Sequence, residues 1–256
     1  MFSVSALSIS LCLLLAGYLS AICATPPNPN PTQPYKGDRA GIVSIASTRI
    51  FTRPGIICLA LYHGLLSLFL HQTSTTTAST ETLTNRNTNT NMDIDIIILH
   101  YICPNQSNLN RALFAWTPWT KTFLALIILV GAPIRLSAYG RLGKNFTFRL
   151  APPDRLVTSG IYRYLQHPSY TGLVFIVMAN VMLFYRWDAS PACWIPMSVL
   201  QRLDGSGAMV TGIMALLCTW GLTLRVWDEE QMLKEKFGKD WERWHRKTKR
   251  FVPGVL

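Results

Sequence analysis

An all-α, polytopic membrane protein of about five spans is the fold class that this 256-residue sequence predicts, and three observations predict it. Apolar residues make up 49% of the chain and charged residues only 14%, against roughly 25% charged in soluble domains. The apolar residues come in long uninterrupted runs, not in the one-sided stripes of water-soluble helices. Lys and Arg collect in alternate connections between those runs, as expected when these connections share a cytoplasmic face.

The first run, Phe2–Ala24, ends in small residues as a cleaved leader would. No Lys or Arg precedes it, so it reads as a retained span. The second, Pro54–Leu70, is short for a hydrocarbon core about 30 Å thick and carries His63, which predicts an extended or irregular segment. Leu113–Ile134, Tyr170–Tyr185 and Gly207–Leu224 complete the five. Between the first two, Thr25–Pro34 holds five prolines and reads as a stiff, extended connector, while Gln72–Asn91 is a connector rich in Thr and Asn. Ile94–Cys103 is apolar but too short to span, so it reads as re-entrant or interfacial. The chain thus divides into membrane segments with their connectors over 1–118 and a second region over 119–256 that holds the densest polar motifs.

With five spans, one side of the membrane receives 19 of the 24 Lys and Arg and the other receives four, Lys121 lying inside the third run. That asymmetry predicts a lumenal amino terminus, with the loop around residue 150 and the carboxyl tail together in the cytosol. The net charge of +11 therefore reads as attraction to anionic lipid and not to nucleic acid, since the basic residues flank apolar runs instead of forming a soluble basic domain. Of six cysteines, Cys12, Cys58 and Cys218 fall within apolar runs. Neither a Cys-x-x-Cys pair nor a nearby His gives zinc-ligand spacing, so no metal is expected. Cys103 and Cys193 share the lumenal side in this arrangement, but sequence alone gives no geometry that would pair them.

Three stretches carry polar groups that need an account. Leu156–Gly172, just before the fourth run, combines a Thr-Ser-Gly turn, a Gly160 that permits close backbone approach, three tyrosines, and His167 restricted by Pro168. Such a loop can wrap a ligand; equally, Tyr162, Tyr164 and Tyr170 can form an interfacial aromatic belt. Arg225–Leu233, at the cytosolic end of the fifth run, puts Arg225 and Glu229 four apart on one helical face. This is either a surface ion pair worth a few tenths of a kcal/mol or a functional set, because ionisable groups beside hydrocarbon need a cavity or a partner. The tail from Phe237 interleaves Trp241 and Trp244 with base and reads as an interfacial helix or a solvated one.

Taken in order, Thr-Ser-Gly-Ile-Tyr at 158–162, His-Pro-Ser-Tyr-Thr-Gly at 167–172, Arg-x-x-x-Glu-Glu at 225–230, Phe-Gly-x-x-Trp at 237–241 and Arg-Phe-Val-Pro-Gly at 250–254 resemble the isoprenylcysteine carboxyl methyltransferases. The resemblance covers roughly Leu136 to the end. It implies a cytosolic pocket for S-adenosylmethionine, formed by the 139–170 loop and the carboxyl-terminal segment and lined by Asp154, Arg155, Leu156, Val157, Tyr162, His167, Pro168, Ser169 and Tyr170, with Glu229 closing it. It further implies Arg225 as the ligand of the substrate carboxylate, a prenylated carboxyl-terminal cysteine as substrate, entry of its lipid tail from the bilayer, and residence in the endoplasmic reticulum. Asp154 stands where the family usually has His, and Gln166 where Arg commonly precedes His-Pro. A phospholipid N-methyltransferase and a catalytically silent membrane relative are the alternatives.

The chemistry suits these residues. A carboxylate is already ionised at pH 7, so it needs no general base to become a nucleophile. It needs alignment with the methyl donor and exclusion of water, and alignment alone supplies roughly 7–11 kcal/mol. The planar fork of Arg225 offers two parallel hydrogen bonds to a carboxylate, which a lysine does not.

Overall fold

A computed structural model describes residues 3–38, 53–80, 97–203 and 205–251, and over these the chain is all-α. Seven helices organise it: α1 Val4–Cys23, α2 Arg53–Thr80, α3 Pro118–Asn145, α4 Pro168–Leu183, α5 Met197–Leu203, α6 Gly207–Phe237 and α7 Lys239–His245. Residues 97–102 form a further short helical stretch. Among the described residues, three helical segments are long and apolar enough to cross a membrane: Val4–Cys23, Arg53–His71 and Pro118–Asn145. The 16-residue α4 is about 24 Å long. The 31-residue α6 presents Met209, Val210, Ile213, Leu216, Leu217 and Trp220 outward, as lipid-facing side chains do. Residues 81–91 of the Thr- and Asn-rich connector, the start of the Ile94–Cys103 piece and the Val252–Gly254 end of the last motif lie outside the described residues.

Element boundaries depart from the run boundaries for local reasons. The third run was expected to start a helix at Leu113, but Arg111–Phe114 is a 3-10 turn and the helix begins at Pro118. Thr117 and Thr120 form a reciprocal capping box there, and proline at the first helical position forfeits no intrahelical bond. The same helix widens into a π stretch over Leu126–Gly131. Pro133 lies just beyond it; its ring would crowd the carbonyl four residues back, and the looser π spacing relieves that clash. The second run, expected to be extended or irregular, is a regular helix that continues past the apolar residues to Thr80.

The chain separates into two compact units, each built from three stretches. The first comprises Met1–Leu19, Gly55–Ile128 and Val177–Gly205. Here α1 and α2 approach backbone to backbone: a Cβ on Gly17 would lie 2.2 Å from that of Ala60, the small-residue contact typical of membrane helices. Ser10 donates to the Gly64 carbonyl at 3.0 Å, so a polar side chain within the apolar run is satisfied. His63, fully buried, contacts the Ser190 hydroxyl at 2.7 Å and the Leu113 carbonyl at 3.2 Å and stacks on Phe114. A disulfide joins Cys103 to Cys193, within a core that includes Leu66, Leu70, Leu99 and Leu113. Asn105 donates its side-chain N–H to the Cys193 carbonyl at 3.1 Å.

The second unit comprises Ser20–Pro54, Leu129–Ile176 and Ser206–Leu256. Gly131 and Gly172 let α3 and α4 touch through their backbones, since a Cβ on Gly172 would sit 2.7 Å from the Gly131 carbonyl oxygen and 2.9 Å from the Arg135 nitrogen. The carboxyl end of α1 is capped by α3: the Cys23 carbonyl accepts from Arg135 Nε and from the Tyr139 hydroxyl, both at 2.6 Å. A cation at this end also complements the helix dipole. Leu150, Met232, Leu233 and Trp241 form the core, against which Tyr35, Leu156, Phe237 and Trp244 pack.

The bond between Cys103 and Cys193 spans 90 residues; the chain-entropy relation gives about 4.6 kcal/mol for such a loop, and disulfides typically contribute roughly 2–4 kcal/mol. Cys103→Ser should lower the thermal unfolding midpoint of the detergent-solubilised protein, and reductant should lower the wild type similarly. Thiol labelling of Cys103 in native, unreduced membranes would show that the bond is not formed.

Candidate functional site

The second unit brings the two polar stretches together, the residues before and within the first turn of α4 and the middle of α6. Pro168 begins α4 and is fully buried, and a proline there disfavours helical backbone at His167, just ahead of the helix. His167 and Ser169 are buried. Arg135 donates to the Ser169 carbonyl at 3.0 Å and to its hydroxyl at 2.9 Å, pinning the turn from below. Leu165 and Lys249 form an isolated parallel bridge, and the His167 N–H donates to the Arg250 carbonyl at 3.0 Å, so the tail is stitched alongside this loop.

Across from it, α6 presents Arg225, Glu229 and Glu230. The Tyr170 hydroxyl donates to Glu229 at 2.7 Å and accepts from Arg225 Nε at 3.2 Å. Arg225 and Glu229 are thus linked through a phenol, a different arrangement from the direct pair of a solvated helix face. The other two guanidinium nitrogens donate to the Asp38 carboxylate and the Phe148 carbonyl. Asp38 also accepts from the Leu150 N–H at 3.0 Å. Glu230 takes a two-pronged bond from Arg250, at 2.8 Å on each oxygen, and lies 3.3 Å from His167 Nε2.

The electrostatics follow from these partners. Burial pushes the Glu230 carboxyl up, but the hydrogen bonds and charges of His167 and Arg250 outweigh it and hold it at about 2. Burial pushes the Tyr162 phenol well above its usual range, and the Glu229 charge adds to the rise, so Tyr162 is a neutral hydroxyl. With Nε2 facing Glu230, His167 Nδ1 is buried with no hydrogen-bond partner, 3.8 Å from Glu229 Oε1. Such an atom is costly in a native structure unless a ligand or an ordered water satisfies it. A buried polar ring atom beside a carboxylate whose side chain is 25% exposed suits a ligand that carries both a positive charge and a hydrogen-bonding group.

The anticipated residues do not share one environment. Tyr162, His167, Pro168, Ser169, Tyr170, Glu229 and Arg225 are buried or half-buried, and His167, Tyr170, Glu229 and Arg225 form one hydrogen-bonded or close-packed set. Leu156 and Val157 are half-buried, Leu156 against the core of the unit. Asp154 and Arg155 are exposed, and Asp154 pairs with Lys144 at 2.7 Å. Gln166, the other departure from the family pattern, is a buried clamp: its amide donates to the Thr248 and His245 carbonyls at 2.8 and 3.0 Å and accepts from His245 Nδ1 at 2.8 Å. Sequence reasoning missed Asp38 and Arg135. Arg135 was counted only as one charge of a basic loop, and nothing near Asp38 in sequence signals a partner 187 residues away.

Because the folded-state pKa of Glu230 lies below its ordinary 4.5, its contribution to stability is present above pH 4.5 and is lost as pH falls toward 2, to an upper limit of roughly 3 kcal/mol. Thermal unfolding measured between pH 6 and 2 should therefore show a steeper acid loss in wild type than in Glu230→Gln. Parallel profiles would show that Glu230 is not held by His167 and Arg250.

Comparison with known proteins adds to this geometry. Residues 123–203 match the model of the Isoprenylcysteine carboxyl methyltransferase (ICMT) family; the match holds Asp154 through Tyr170 and stops short of Arg225 and Glu229. The chain is 28% identical over 166 residues to Protein-S-isoprenylcysteine O-methyltransferase of Dictyostelium discoideum, covering 59% of this chain and 61% of that protein. It is 39% identical over 70 residues to Protein-S-isoprenylcysteine O-methyltransferase A of Arabidopsis thaliana, covering 25% and 36%, and 27% identical over 144 residues to a probable protein-S-isoprenylcysteine O-methyltransferase of Oryza sativa subsp. indica, covering 54% and 63%. The chain thus spans less than two thirds of the length of these relatives. No solved structure matches it. Over residues 123–203 the chain is therefore similar to the isoprenylcysteine carboxyl methyltransferases, at modest identity.

Proposed function

We propose that the chain transfers a methyl group from S-adenosylmethionine to the carboxyl-terminal carboxylate of a prenylated cysteine. The observation that carries this reading is the division of labour in the second unit: an acidic, half-exposed group beside an unsatisfied buried ring nitrogen, and next to it a guanidinium that faces a carboxylate, linked through one tyrosine.

S-adenosylmethionine, when bound, supplies an electrophilic methyl on a positively charged sulfur. Glu229 balances that charge, His167 Nδ1 gains the hydrogen bond it lacks, and the neutral phenol of Tyr162 walls the site. Pro168, Ser169 and Tyr170 fix the turn that carries His167. Leu156 and Val157 supply apolar lining and backbone groups, and Asp154 with Arg155 forms the exposed rim, where the Lys144 pair makes Asp154 a minor contributor. Arg225 grips the substrate carboxylate with two N–H groups, which orients an oxygen that is already anionic. Tyr170 couples the two subsites, because it donates to Glu229 while accepting from Arg225.

A membrane setting fits the substrate: a prenyl chain partitions into lipid and leaves its cysteine carboxylate at the surface. We assign five spans, with α4 and the apolar part of α6 added to the three long segments. The amino terminus is then lumenal, and the 139–170 loop and the carboxyl-terminal segment form a cytosolic pocket. The endoplasmic reticulum is the compartment we assign. The disulfide between Cys103 and Cys193 supports this orientation, since it falls on the side assigned to an oxidising lumen. Residues 119–256 constitute the catalytic region, and 1–118 its membrane support.

Two substitutions separate the subsites. Glu229→Ala should weaken S-adenosylmethionine binding by on the order of 2–5 kcal/mol, the usual cost of truncating one partner of a buried charge contact. Arg225→Lys keeps the charge but loses the planar fork; it should leave that binding intact and lower turnover of a prenylcysteine by about ten-fold or more. Near-wild-type turnover in Arg225→Lys, at matched expression, would remove Arg225 from the reaction.

A further inference from the structure

All three nitrogens of the Arg225 guanidinium are engaged from within the chain, by Tyr170, Asp38 and Phe148. Two of those partners are fixed parts of the unit. The third is a carboxylate, the same chemical group as the proposed substrate's reacting end. The Asp38 side chain is 1% exposed and that of Arg225 12%, so the pair is desolvated, and removing either member would strand a charge. The stretch bearing Asp38 is non-helical over residues 24–38. Among the described residues it is held by Asn28 Nδ2–H to the Gly143 and Phe146 carbonyls at 2.7 and 2.9 Å, Tyr35 N–H to the Leu150 carbonyl at 2.7 Å, Leu150 N–H to Asp38 at 3.0 Å, and the Tyr35 hydroxyl to Glu235 at 3.0 Å, with Lys36 exposed between Tyr35 and Asp38. An irregular surface stretch of this kind opens locally at lower cost than a packed helix.

We propose that Asp38 is a built-in competitor for the substrate carboxylate at Arg225, one that selects the anionic substrate and expels the neutral product. The proposal rests on the reading of Arg225 as the carboxylate ligand. An incoming carboxylate can replace Asp38 anion for anion, so Arg225 is never left unpaired. Methylation forms an O–C bond on that carboxylate and breaks the S–C bond of the sulfonium, so an anion and a cation become a neutral ester and a neutral thioether. The ester has lost the charge that matched Arg225, whereas Asp38 keeps its own. Asp38 therefore recovers Arg225 after transfer but yields to the substrate before it. The Phe148 carbonyl, a neutral acceptor, has no such preference.

The test uses the full chain in lipid nanodiscs, with N-acetyl-farnesylcysteine and its methyl ester as probes. In wild type without S-adenosylmethionine, the free acid should raise hydrogen exchange at the Leu150 and Tyr35 amides several-fold, and the ester should not. In Asp38→Asn, which keeps the shape and removes the charge, inhibition by the ester should tighten by about ten-fold or more and the KM for the acid should fall. Exchange that responds to neither probe, or equally to both, overturns the proposal; so does ester inhibition in a folded Asp38→Asn that equals wild type. If that variant does not fold, the wild-type exchange result decides. Arg225→Lys separates this proposal from the reading it rests on: if that variant turns over normally, the Arg225 assignment has failed. If it is impaired while exchange and ester inhibition behave as overturning results, only the role of Asp38 has failed.

Discussion

The organisation of the second unit depends on one constraint: charges that lie at the end of an apolar helix must each find a partner in the fold. Carrying an Arg and two Glu within six residues of α6 would be costly against hydrocarbon, and the structure meets the cost with partners for each, Tyr170 being shared by Arg225 and Glu229. Arg225 has Asp38 and Tyr170, Glu229 has Tyr170, and Glu230 has Arg250 and His167. These pairings draw the 20–38 stretch, the start of α4 and the carboxyl tail onto one helix. The core of Leu150, Met232, Leu233 and Trp241 then packs beneath a site whose side chains are already oriented. Breaking one such contact leaves a buried charge unpaired, which costs far more than the contact itself contributes.

The same pattern separates polar groups whose hydrogen bonds are all spent within the fold from one that keeps an atom unused. Gln166 makes hydrogen bonds from both ends of its amide to the tail, and Arg135 is spent on Cys23 and Ser169. His63 in the first unit has both ring nitrogens occupied. His167, by contrast, keeps one nitrogen buried and unused. Of the two places where the sequence departs from the family pattern, neither strips the site of a buried partner: Gln166 takes up a clamping role, and Asp154 sits at the exposed rim with Lys144.

Much of this was legible in the sequence because the physics is local. Long apolar runs mark α1, α2 and α3, although the start of α3 at Thr117-Pro118 was missed because the apolar run begins earlier, at Leu113. Arg225 and Glu229 were legible as one face by their four-residue spacing, and His167-Pro168 as a constrained turn. What was not legible is whatever depends on distant chain. The phenol that stands between Arg225 and Glu229 comes from 55 residues away and the carboxylate on Arg225 from 187, and no periodicity encodes such pairings. The pairing of Cys103 with Cys193 was left open for the same reason. The π stretch in α3 was also missed, although Pro133 two residues beyond it was a local signal.

The proposed acceptor of the methyl group is the carboxylate of a prenylcysteine. Its most direct test is incubation of membranes containing this chain with methyl-labelled S-adenosylmethionine, N-acetyl-farnesylcysteine and phosphatidylethanolamine together, followed by separation of the labelled products. The expected result is base-labile label on the farnesylcysteine, absent from membranes without the chain. Label on the lipid amine instead, or no label on either substrate in protein shown to bind the cofactor, would contradict it.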